Sequence, residues 1–469
     1  MDGHGSVPDD ALVEMFELLP AKSLHRFKCV SKSWCAMLTD PLHRHRFAQT
    51  LAGFLFLDVA AASASDTAAG TESCHDSVQD DDDDRGESSR RTCPHTTRLS
   101  KSNRRATRRF VNVSRMAEPL IDAMFPFLPP PPPPPLSGEG FFFRDVILDA
   151  RDGLILLARV LHNHDSSAAS SPDHHPPASY FVCNPATSRW AVVPSSGWVP
   201  SSSQRTTRTF LLFDAATSPH VFHLIQFCVS DMDTVQAIYT YSSSDATWTN
   251  RELQWHAGGW RHWGRAMALI QPGTGASVAI AGGGLLLHLV VDTDGTTGPN
   301  NLVAVDEEGS VRRAIPLPRR DVAEKDWHSV FVSMSQGRLH FVMCVRPPHG
   351  RLSEEQPLKM LVWVLGEDDT GDGEWVLKHT VSFPELFGRI ACQFRVEYSV
   401  VAVHPDGDWV FFVRHWDRKL VAYDMGRREV IVVADLGDGG GELGGDELPT
   451  PYVPLYCESL ALTNGMNEQ

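Results

Sequence analysis

The first fifty residues carry apolar side chains at helical spacing. They recur at i, i+4 and i+7, then at i and i+3, and then at i and i+4. The positions are Leu12, Phe16 and Leu19, then Leu24 and Phe27, then Trp34 and Leu38. Ser6 and Asp9 have the spacing of a helix start, Ser31 is placed to cap a later helix, and Pro41 ends that helix. The pattern predicts two or three short helices over residues 6–47.

This helical unit holds more large apolar residues than so small a unit can bury. A module of roughly 40 residues is near the lower size limit for folding alone. Each fully buried large side chain contributes about 1.5–3 kcal/mol, so leaving half of them in water is costly. Two interpretations stay open: a partner covers part of the surface, or all the side chains pack inward or against the rest of the chain.

From about residue 141 to 463 the pattern changes to short β-type segments broken by Gly, Asp, Pro and Asn. Five segments share a strand, a polar turn and a second strand, with starts about sixty residues apart. They begin at Tyr180, Ala237, Leu302, Leu361 and Leu420. A more apolar strand precedes each one, beginning at Gly153, His220, Gly284, Gly337 and Asp408.

A fixed period with about four strands per unit is typical of a β-propeller blade. We interpret the apolar strand as the inner strand of each blade and the two later strands as its outer hairpin. We expect residues 53–59 and 109–113 to supply part of a sixth blade and residues 456–462 to close the ring. The tryptophans Trp190, Trp248 and Trp375 are predicted to pack blade on blade. The alternative is a β-sandwich with accidental regularity.

The predicted fold class is therefore α+β and multidomain: a small all-α unit followed by a mainly-β propeller of about six blades, with disordered insertions. Residues 60–109 combine an acidic run, Asp80–Asp84, with an arginine-rich tract. Such a composition predicts a disordered linker. For the arginine-rich tract, three interpretations stay open: a solvated linker, a nuclear import signal or a nucleic-acid site. The proline run 129–135 is interpreted as a stiff spacer, a blade-edge loop or a ligand for a proline-reading domain.

The net charge and the distribution of cysteines limit which partners and which cellular compartment we expect for this protein. A formal net charge of −16 argues against nucleic acid as the main ligand. Nine cysteines lie singly along the chain, which predicts buried thiols in a reducing compartment. Asp9 and Asp10 stand where a signal peptide needs apolar residues, and the run from Gly275 to Val291 is too interrupted for a membrane span. We expect a nuclear or cytoplasmic protein without a membrane anchor.

The motifs that could indicate catalysis, nucleotide binding or metal binding are weak matches in this sequence. Gly439 to Gly444 matches the spacing of a nucleotide-binding loop, but an acidic segment follows it instead of a helix. The histidines His162, His164, His174 and His175 fall in a Ser/Pro/Asp-rich stretch that would not hold them rigid. The expectation is no catalytic residue, no cofactor and no metal ligand.

The helical unit resembles an F-box. The residues that carry the resemblance are Pro8-Asp-Asp10, Leu19 to Leu24, Arg26 to Val30, Ser31 to Trp34 and Asp40-Pro41. Val7 and Phe16 are mild departures that keep an apolar residue. The resemblance implies docking on a Skp-family adaptor, and through it on a cullin. The implied adaptor-binding residues are Val7, Pro8, Leu12, Leu19, Pro20, Leu24, Phe27, Val30, Trp34 and Leu38.

The remainder resembles the plant F-box-associated, kelch-like domain. The residues that carry this are Asp152 to Leu156, Val182 to Thr187, Val362 to Leu365, Val403 to Gly407 and Leu420 to Asp424. The resemblance implies a non-catalytic substrate-recognition subunit of a Skp–cullin–F-box ubiquitin ligase, with an unknown protein substrate and unknown substrate-binding residues. The alternative is a propeller that binds a ligand or acts as an enzyme, with the helices packed on it as structure.

Overall fold

A computed structural model describes the chain in segments between residues 8 and 462. The described residues are 8–19, 21–28, 30–40, 42–43, 46–47, 50–59, 106–113, 118–132, 141–163, 179–198, 206–215, 218–229, 235–251, 277–281, 284–291, 301–318, 330–345, 352–353, 356–366, 373–394, 396–437, 448–456 and 459–462. The predicted disorder at 60–105, the glycine motif at 439–444 and the side chains of the four clustered histidines lie outside them.

Three helices form the N-terminal unit: α1 at Asp9–Glu17, α2 at Ala21–Lys28 and α3 at Lys32–Thr39. Asp9 and Asp10 lie in the first turn of α1, where their negative charges interact favourably with the positive end of the helix dipole. The predicted cap of α3 is confirmed, because the Ser31 hydroxyl accepts a hydrogen bond of 3.2 Å from the Ser33 amide. Ser6, the predicted start of α1, is not among the described residues.

Six antiparallel sheets follow, and five of them are four-stranded blades. Blade 1 contains β3 (Phe141–Arg151), β4 (Leu154–Asn163), β5 (Ser179–Asn184) and β6 (Arg189–Pro194). Blade 2 contains β7 (Thr206–Leu212), β8 (His223–Val229), β9 (Val235–Ser242) and β10 (Thr247–Arg251). Blade 3 contains β11 (Ser277–Ala281), β12 (Gly284–Val291), β13 (Asn301–Asp306) and β14 (Val311–Pro316).

The remaining blades complete the set. Blade 4 contains β15 (Val330–Ser335), β16 (Arg338–Val345), β17 (Lys359–Leu365) and β18 (Trp375–Ser382), and a short helix α4 (Phe383–Phe387) follows it. Blade 5 contains β19 (Tyr398–Val403), β20 (Trp409–Arg414), β21 (Lys419–Asp424) and β22 (Glu429–Asp435). Blade 6 has the strand order β2 (Ala106–Asn112), β1 (Gly53–Val59) and β23 (Thr450–Tyr452).

The six sheets form a closed ring. Neighbouring blades are in contact all around the ring: β23 contacts β3, β3 contacts β7, and β7 contacts β12. In turn, β11 and β12 contact β15, β15 contacts β19, and β19 contacts β23. The propeller prediction is confirmed, and residues 53–59 form β1 of the sixth blade. The second contribution, predicted from residue 109, begins earlier at Ala106, so residues 106–109 are strand and not linker.

The ring closes by a different strand from the one predicted. Thr450–Tyr452 pairs with β1, matching Gly53 with Tyr452 and Leu55 with Thr450. In the predicted closing segment, residues 460–461 form a turn and Leu462 packs into the core between blades 1 and 2. The strand was missed because three residues that include Pro451 give no alternating pattern to read.

The apolar strands predicted to be innermost are the second strands of their blades. The first strands β3, β7, β11, β15 and β19 lie inside them and make the contacts between blades. Second strands are the most apolar because they have a strand on each side and a blade on each face; all of Leu154 to Leu157 is fully buried in β4. First strands border the axis and carry charges such as Arg144, Asp145 and Asp149.

The repeat visible in the sequence arises from the turn between the third and fourth strands. Asn184 Oδ1 accepts the amide of Ala186, Asp306 Oδ1 accepts that of Ser310, and Asp424 Oδ1 accepts that of Gly426, at 2.7–3.0 Å. Asx side chains favour such turns because they replace a main-chain acceptor. These residues are therefore structural.

Tryptophans on fourth strands join consecutive blades, as predicted. Trp248 Nε1 donates to the Pro194 carbonyl at 2.7 Å, and Trp375 Nε1 donates to the Pro316 carbonyl at 2.8 Å. Each acceptor ends the fourth strand of the preceding blade. Trp190 packs against the core between blades 6 and 1.

Both ends of the propeller chain lie on one face. The chain enters β1 at Gly53, next to the β19–β20 turn, where Thr50 Oγ1 donates to Asp406 Oδ2 at 2.6 Å. After β23 the chain crosses the same face, and Asn184 Nδ2 donates to the Leu455 carbonyl at 2.8 Å. Because strands alternate in direction, the β1–β2 connection leaves from the opposite face, as do those between second and third strands. We call these the entry face and the far face.

Candidate functional site

A closed aromatic core holds the helical unit together. Phe16 lies at its centre, with ring centroids 5.8 Å from Phe27, 5.2 Å from Trp34 and 6.3 Å from Phe47. The fully buried members of this core are Val13, Phe16, Leu24, Leu38 and Phe47. Leu12, Leu19, Phe27 and Trp34 pack against it and are partly buried. The unit therefore has a core of its own.

Among the described residues of the helical unit, four large apolar side chains are exposed outside that core. Leu18 is 86% exposed, Leu42 75%, Val30 65% and Met15 58%. Met15 and Leu18 are three residues apart at the end of α1, so they lie on neighbouring positions of the helix surface. Such exposure in so small a unit is typical of a surface that a partner covers.

The structure separates the predicted adaptor-binding residues into three groups. Leu24 and Leu38 are buried in the core, so they support the surface and do not form it. Pro8 and Val30 are exposed. The partly buried residues are Leu12, Leu19, Phe27 and Trp34. Val7 and Pro20 lie outside the described residues.

Sequence reasoning missed three of the exposed apolar residues. Met15, Leu18 and Leu42 lie off the i, i+4, i+7 stripe, and a stripe marks the buried face of a helix. For Met15 and Leu18, the signal that could have found them was the presence of apolar residues on another face of α1. We call Met15, Leu18, Val30 and Leu42 the exposed apolar set.

Polar contacts fix the unit and its connection to the propeller. Arg46 Nη2 forms an ion pair of 2.6 Å with Glu17 Oε2, which ties the segment after α3 to the end of α1. Leu51 is buried with Phe54 and Phe411 in the core between blades 5 and 6. The link between the helices and the entry face is therefore short.

The propeller has buried titratable groups but no assembled metal site within the residues described. Asp149 on β3 accepts the Leu211 amide at 3.1 Å, and its burial raises the pKa of the carboxyl group. Burial, followed by the charge of Asp214, raises the pKa of Asp152 to about 6. Asp149 joins the first strands of blades 1 and 2, which is a structural task.

Four of the described cysteines are buried in the propeller: Cys183, Cys228, Cys344 and Cys392. Burial raises the pKa of Cys228 to about 12 and that of Cys392 to about 11, so these thiols stay protonated. Among the described helices, none is long and apolar enough to cross a membrane.

Comparison with known proteins identifies the helical unit. A family model described as F-box-like matches residues 4–49. Two F-box proteins of Arabidopsis thaliana are similar to the chain, one 46% identical over 41 residues and the other 48% identical over 42 residues. These alignments cover 9% of the chain and about a tenth of each relative's length.

Solved structures resemble the propeller only distantly. A β-fructofuranosidase of Bombyx mori is 8% identical with a TM-score of 0.32, and 62% of each chain is covered. The WD40 domain of SCAP from fission yeast is 10% identical with a TM-score of 0.26, covering 62% of this chain and 64% of that one. Likeness at this level carries no argument about activity, and the kelch-like character of the propeller stays a prediction. The chain thus combines an F-box-like domain at its N-terminus, similar to that of plant F-box proteins, with a six-bladed β-propeller.

Proposed function

We propose that this protein is a substrate-recognition subunit of a Skp–cullin–F-box ubiquitin ligase. The F-box-like domain docks on a Skp-family adaptor, the adaptor connects it to a cullin, and the propeller presents a protein substrate. The chain itself supplies no catalytic group, and it acts in the nucleus or the cytoplasm. The exposed apolar set carries the proposal, because these side chains lie outside a core that is already complete without them.

The arrangement of the two faces supports the proposal. The F-box-like domain connects to the propeller at the entry face, close to the β19–β20 turn. The far face is directed away from that connection. A protein bound there would be held near the ligase, which raises its effective concentration at the ubiquitin-loaded enzyme.

Co-purification with a Skp-family adaptor tests the docking step. Leu18→Asp places a charge in the exposed apolar set, and we expect at least about a tenfold loss of adaptor affinity, as for a central interface residue. The fold is expected to be unchanged, because Leu18 is 86% exposed. Circular dichroism and the melting temperature check this.

Leu460→Asp is the matched control. Leu460 is 75% exposed on the propeller, so the same substitution is made at similar exposure but away from the F-box-like domain. It should leave adaptor recovery unchanged. Equal recovery of the wild type, Leu18→Asp and Leu460→Asp would contradict the proposed function.

A further inference from the structure

Three large apolar side chains are exposed where the chain enters and crosses the far-face end of blade 5. Trp416 is 36% exposed, and Ile390 and Val396 are each 39% exposed. Trp416 lies in the turn between β20 and β21, which joins a second strand to a third on the far face. Ile390 and Val396 belong to the loop before Tyr398, where β19 starts beside Arg414 at the end of β20. We call Ile390, Val396 and Trp416 the Trp416 surface.

Direct contacts join this loop to the turn. The guanidinium carbon of Arg389 lies 4.1 Å from the centre of the Trp416 ring. Phe387, at the end of α4, lies nearly perpendicular to the same ring, with centroids 5.8 Å apart. Near the other end of the loop, the His415 amide donates to the Glu397 carbonyl at 2.8 Å. Loop and turn therefore present their exposed apolar residues within one region of the far face.

Hydrogen bonds within the loop fix its conformation before any partner binds. Arg389 Nη1 forms an ion pair of 2.9 Å with Glu397 Oε1, and Glu397 Oε2 accepts the Gln393 amide at 2.7 Å. The Leu358 amide donates to the Ile390 carbonyl at 2.9 Å, which attaches the loop next to the start of β17. A surface that is already ordered loses little conformational entropy on binding.

The guanidinium groups over the Trp416 ring have carboxylate partners of their own. Arg389 is paired with Glu397, and Arg414, 5.7 Å from the ring centre, has Nη2 2.6 Å from Asp417 Oδ2. An incoming charged side chain would lose water here without gaining an unpaired opposite charge. An uncharged apolar side chain has no such cost. Charge complementarity therefore favours an apolar segment as the occupant.

The composition and the position of the surface suit a protein partner. Tryptophan and arginine are enriched among the residues that carry binding energy at interfaces, and polar residues usually surround an apolar centre. The opposite end of blade 5 carries the β19–β20 turn, where Asp406 contacts Thr50. A partner on the Trp416 surface would therefore leave the connection to the F-box-like domain uncovered.

We propose that the Trp416 surface binds an apolar segment of a partner protein, with an aliphatic or aromatic side chain packed against Trp416, Ile390 and Val396. The identity of that partner as a ligase substrate rests on the proposed function. The preference for an apolar over a charged side chain does not, since it follows from the three exposed residues and the paired charges beside them.

Fluorescence anisotropy on the full chain, in complex with the adaptor if that is needed for solubility, tests the surface. The probes are three labelled peptide libraries with the same degenerate flanks and two central residues fixed as Leu, Asp or Lys. We expect the Leu library to bind at least about tenfold more tightly than the other two, as for the burial of one large apolar side chain. Equal binding of all three, or tighter binding of the Asp or Lys library, overturns the proposal.

Salt provides a second measurement on the same complex. Between about 0.1 M and 1 M KCl the screening length falls from about 10 Å to about 3 Å. Because apolar contact neutralises no net charge, the affinity for the Leu library should change less than about threefold. A loss of tenfold or more would show that charge, not apolar contact, holds the peptide.

Substitutions locate the contact. Ile390→Asp should remove the preference for the Leu library, and Trp416→Ala should weaken it, because each takes away part of the apolar surface. Val432→Asp is the matched control, since Val432 is 46% exposed on the outer strand of the same blade. Melting temperatures check that all three variants fold. A folded Ile390→Asp variant that keeps the wild-type preference contradicts the surface, and a wild-type dimer that this substitution dissociates assigns it to a second copy instead.

Adaptor recovery separates this inference from the proposed function. Ile390→Asp should keep wild-type adaptor binding, whereas Leu18→Asp should lose adaptor binding and keep the apolar preference. A wild type that recovers the adaptor normally but shows no apolar preference rejects only the surface. A normal preference without adaptor recovery rejects only the ligase role.

Discussion

A single buried histidine shows how one residue couples the propeller to pH. His340 on β16 is 1% exposed, and burial is the main cause that lowers its pKa to about 4. Its Nε2 lies 3.2 Å from Lys378 Nζ and its Nδ1 lies 3.1 Å from the Arg338 carbonyl. Since the ammonium group can only donate, Nε2 accepts and Nδ1 carries the proton. The folded propeller therefore keeps this imidazole neutral.

The depressed pKa predicts a loss of stability in acid. The unfolded histidine takes up a proton near pH 6.5, whereas the folded one resists protonation down to about pH 4. The contribution of His340 is therefore present above pH 6.5 and is lost as the pH falls from 6.5 toward 4. From pH 7 to pH 5 the loss is about 2 kcal/mol. Urea unfolding at both pH values measures it.

His340→Gln is the comparison for that measurement. The glutamine does not titrate, so the variant should lose about 2 kcal/mol less than the wild type over the same interval. Other histidines contribute equally to both proteins, so the difference between the two slopes isolates residue 340. Identical slopes would show that His340 is not the titrating group.

At the scale of elements, turns and strand ends determine how blades fit their neighbours. Gly153 in the β3–β4 turn has φ of +89°, and a Cβ atom there would lie 2.2 Å from Leu455 Cβ. Gly337 holds the corresponding place in the β15–β16 turn, with φ of +74° and open space around it. The two glycines share a backbone conformation and differ in what surrounds them.

Alanine at these two positions separates backbone strain from steric contact. Gly337→Ala should cost about 1 kcal/mol for its left-handed conformation. Gly153→Ala should cost about 1–3 kcal/mol more, because the chain around Leu455 must move. Chemical unfolding measures both, and equal costs would mean that the segment after β23 does not press on blade 1.

The tryptophan bonds between blades are expected to act independently. Trp248→Phe and Trp375→Phe should each cost about 1 kcal/mol by removing one indole donor. Blade 3 lies between blades 2 and 4 in the ring, so the double variant should cost the sum, about 2 kcal/mol. A non-additive double variant, measured by urea unfolding, would indicate that strain passes through blade 3.

At the scale of the whole molecule, the ring depends on three residues near the end of the chain. β23 is the first strand of blade 6 and touches β3 on one side and β19 on the other. It therefore joins the first and last parts of the propeller. Without it, β19 and β3 lose the first strand that lies between them, and the inner edge of β1 is exposed over Gly53 to Leu55.

Truncation tests this closure. A chain ending at Gly437 lacks β23 and should be cut by protease much faster than the full chain, because blade 6 loses its innermost strand. A chain ending at Leu462 keeps every described strand and should resist protease as the full chain does. Equal resistance of the two truncated chains would show that β23 does not hold the ring.

The features that repeat from blade to blade could be predicted from the sequence better than the features that depart from the repeat. The period of the turns at Asn184, Asp306 and Asp424 could be predicted because, in each turn, an Asx side-chain oxygen accepts a hydrogen bond from a main-chain amide. The first strands were not readable, because residues such as Arg144 beside the axis break the apolar pattern. Leu24 and Leu38 were correctly identified as large apolar residues, but spacing alone does not distinguish a buried apolar residue from an exposed one such as Leu18.

The pairing of β1 with β23 also fixes the order in which the molecule can be completed during synthesis. The F-box-like domain and β1 leave the ribosome first, but the strand that pairs with the inner edge of β1 lies almost four hundred residues later in the chain. The F-box-like domain can therefore fold while the propeller is still open. Until synthesis reaches Thr450, β1 keeps an unprotected edge, so nascent chains are the stage at which we expect chaperone binding and aggregation to be most frequent.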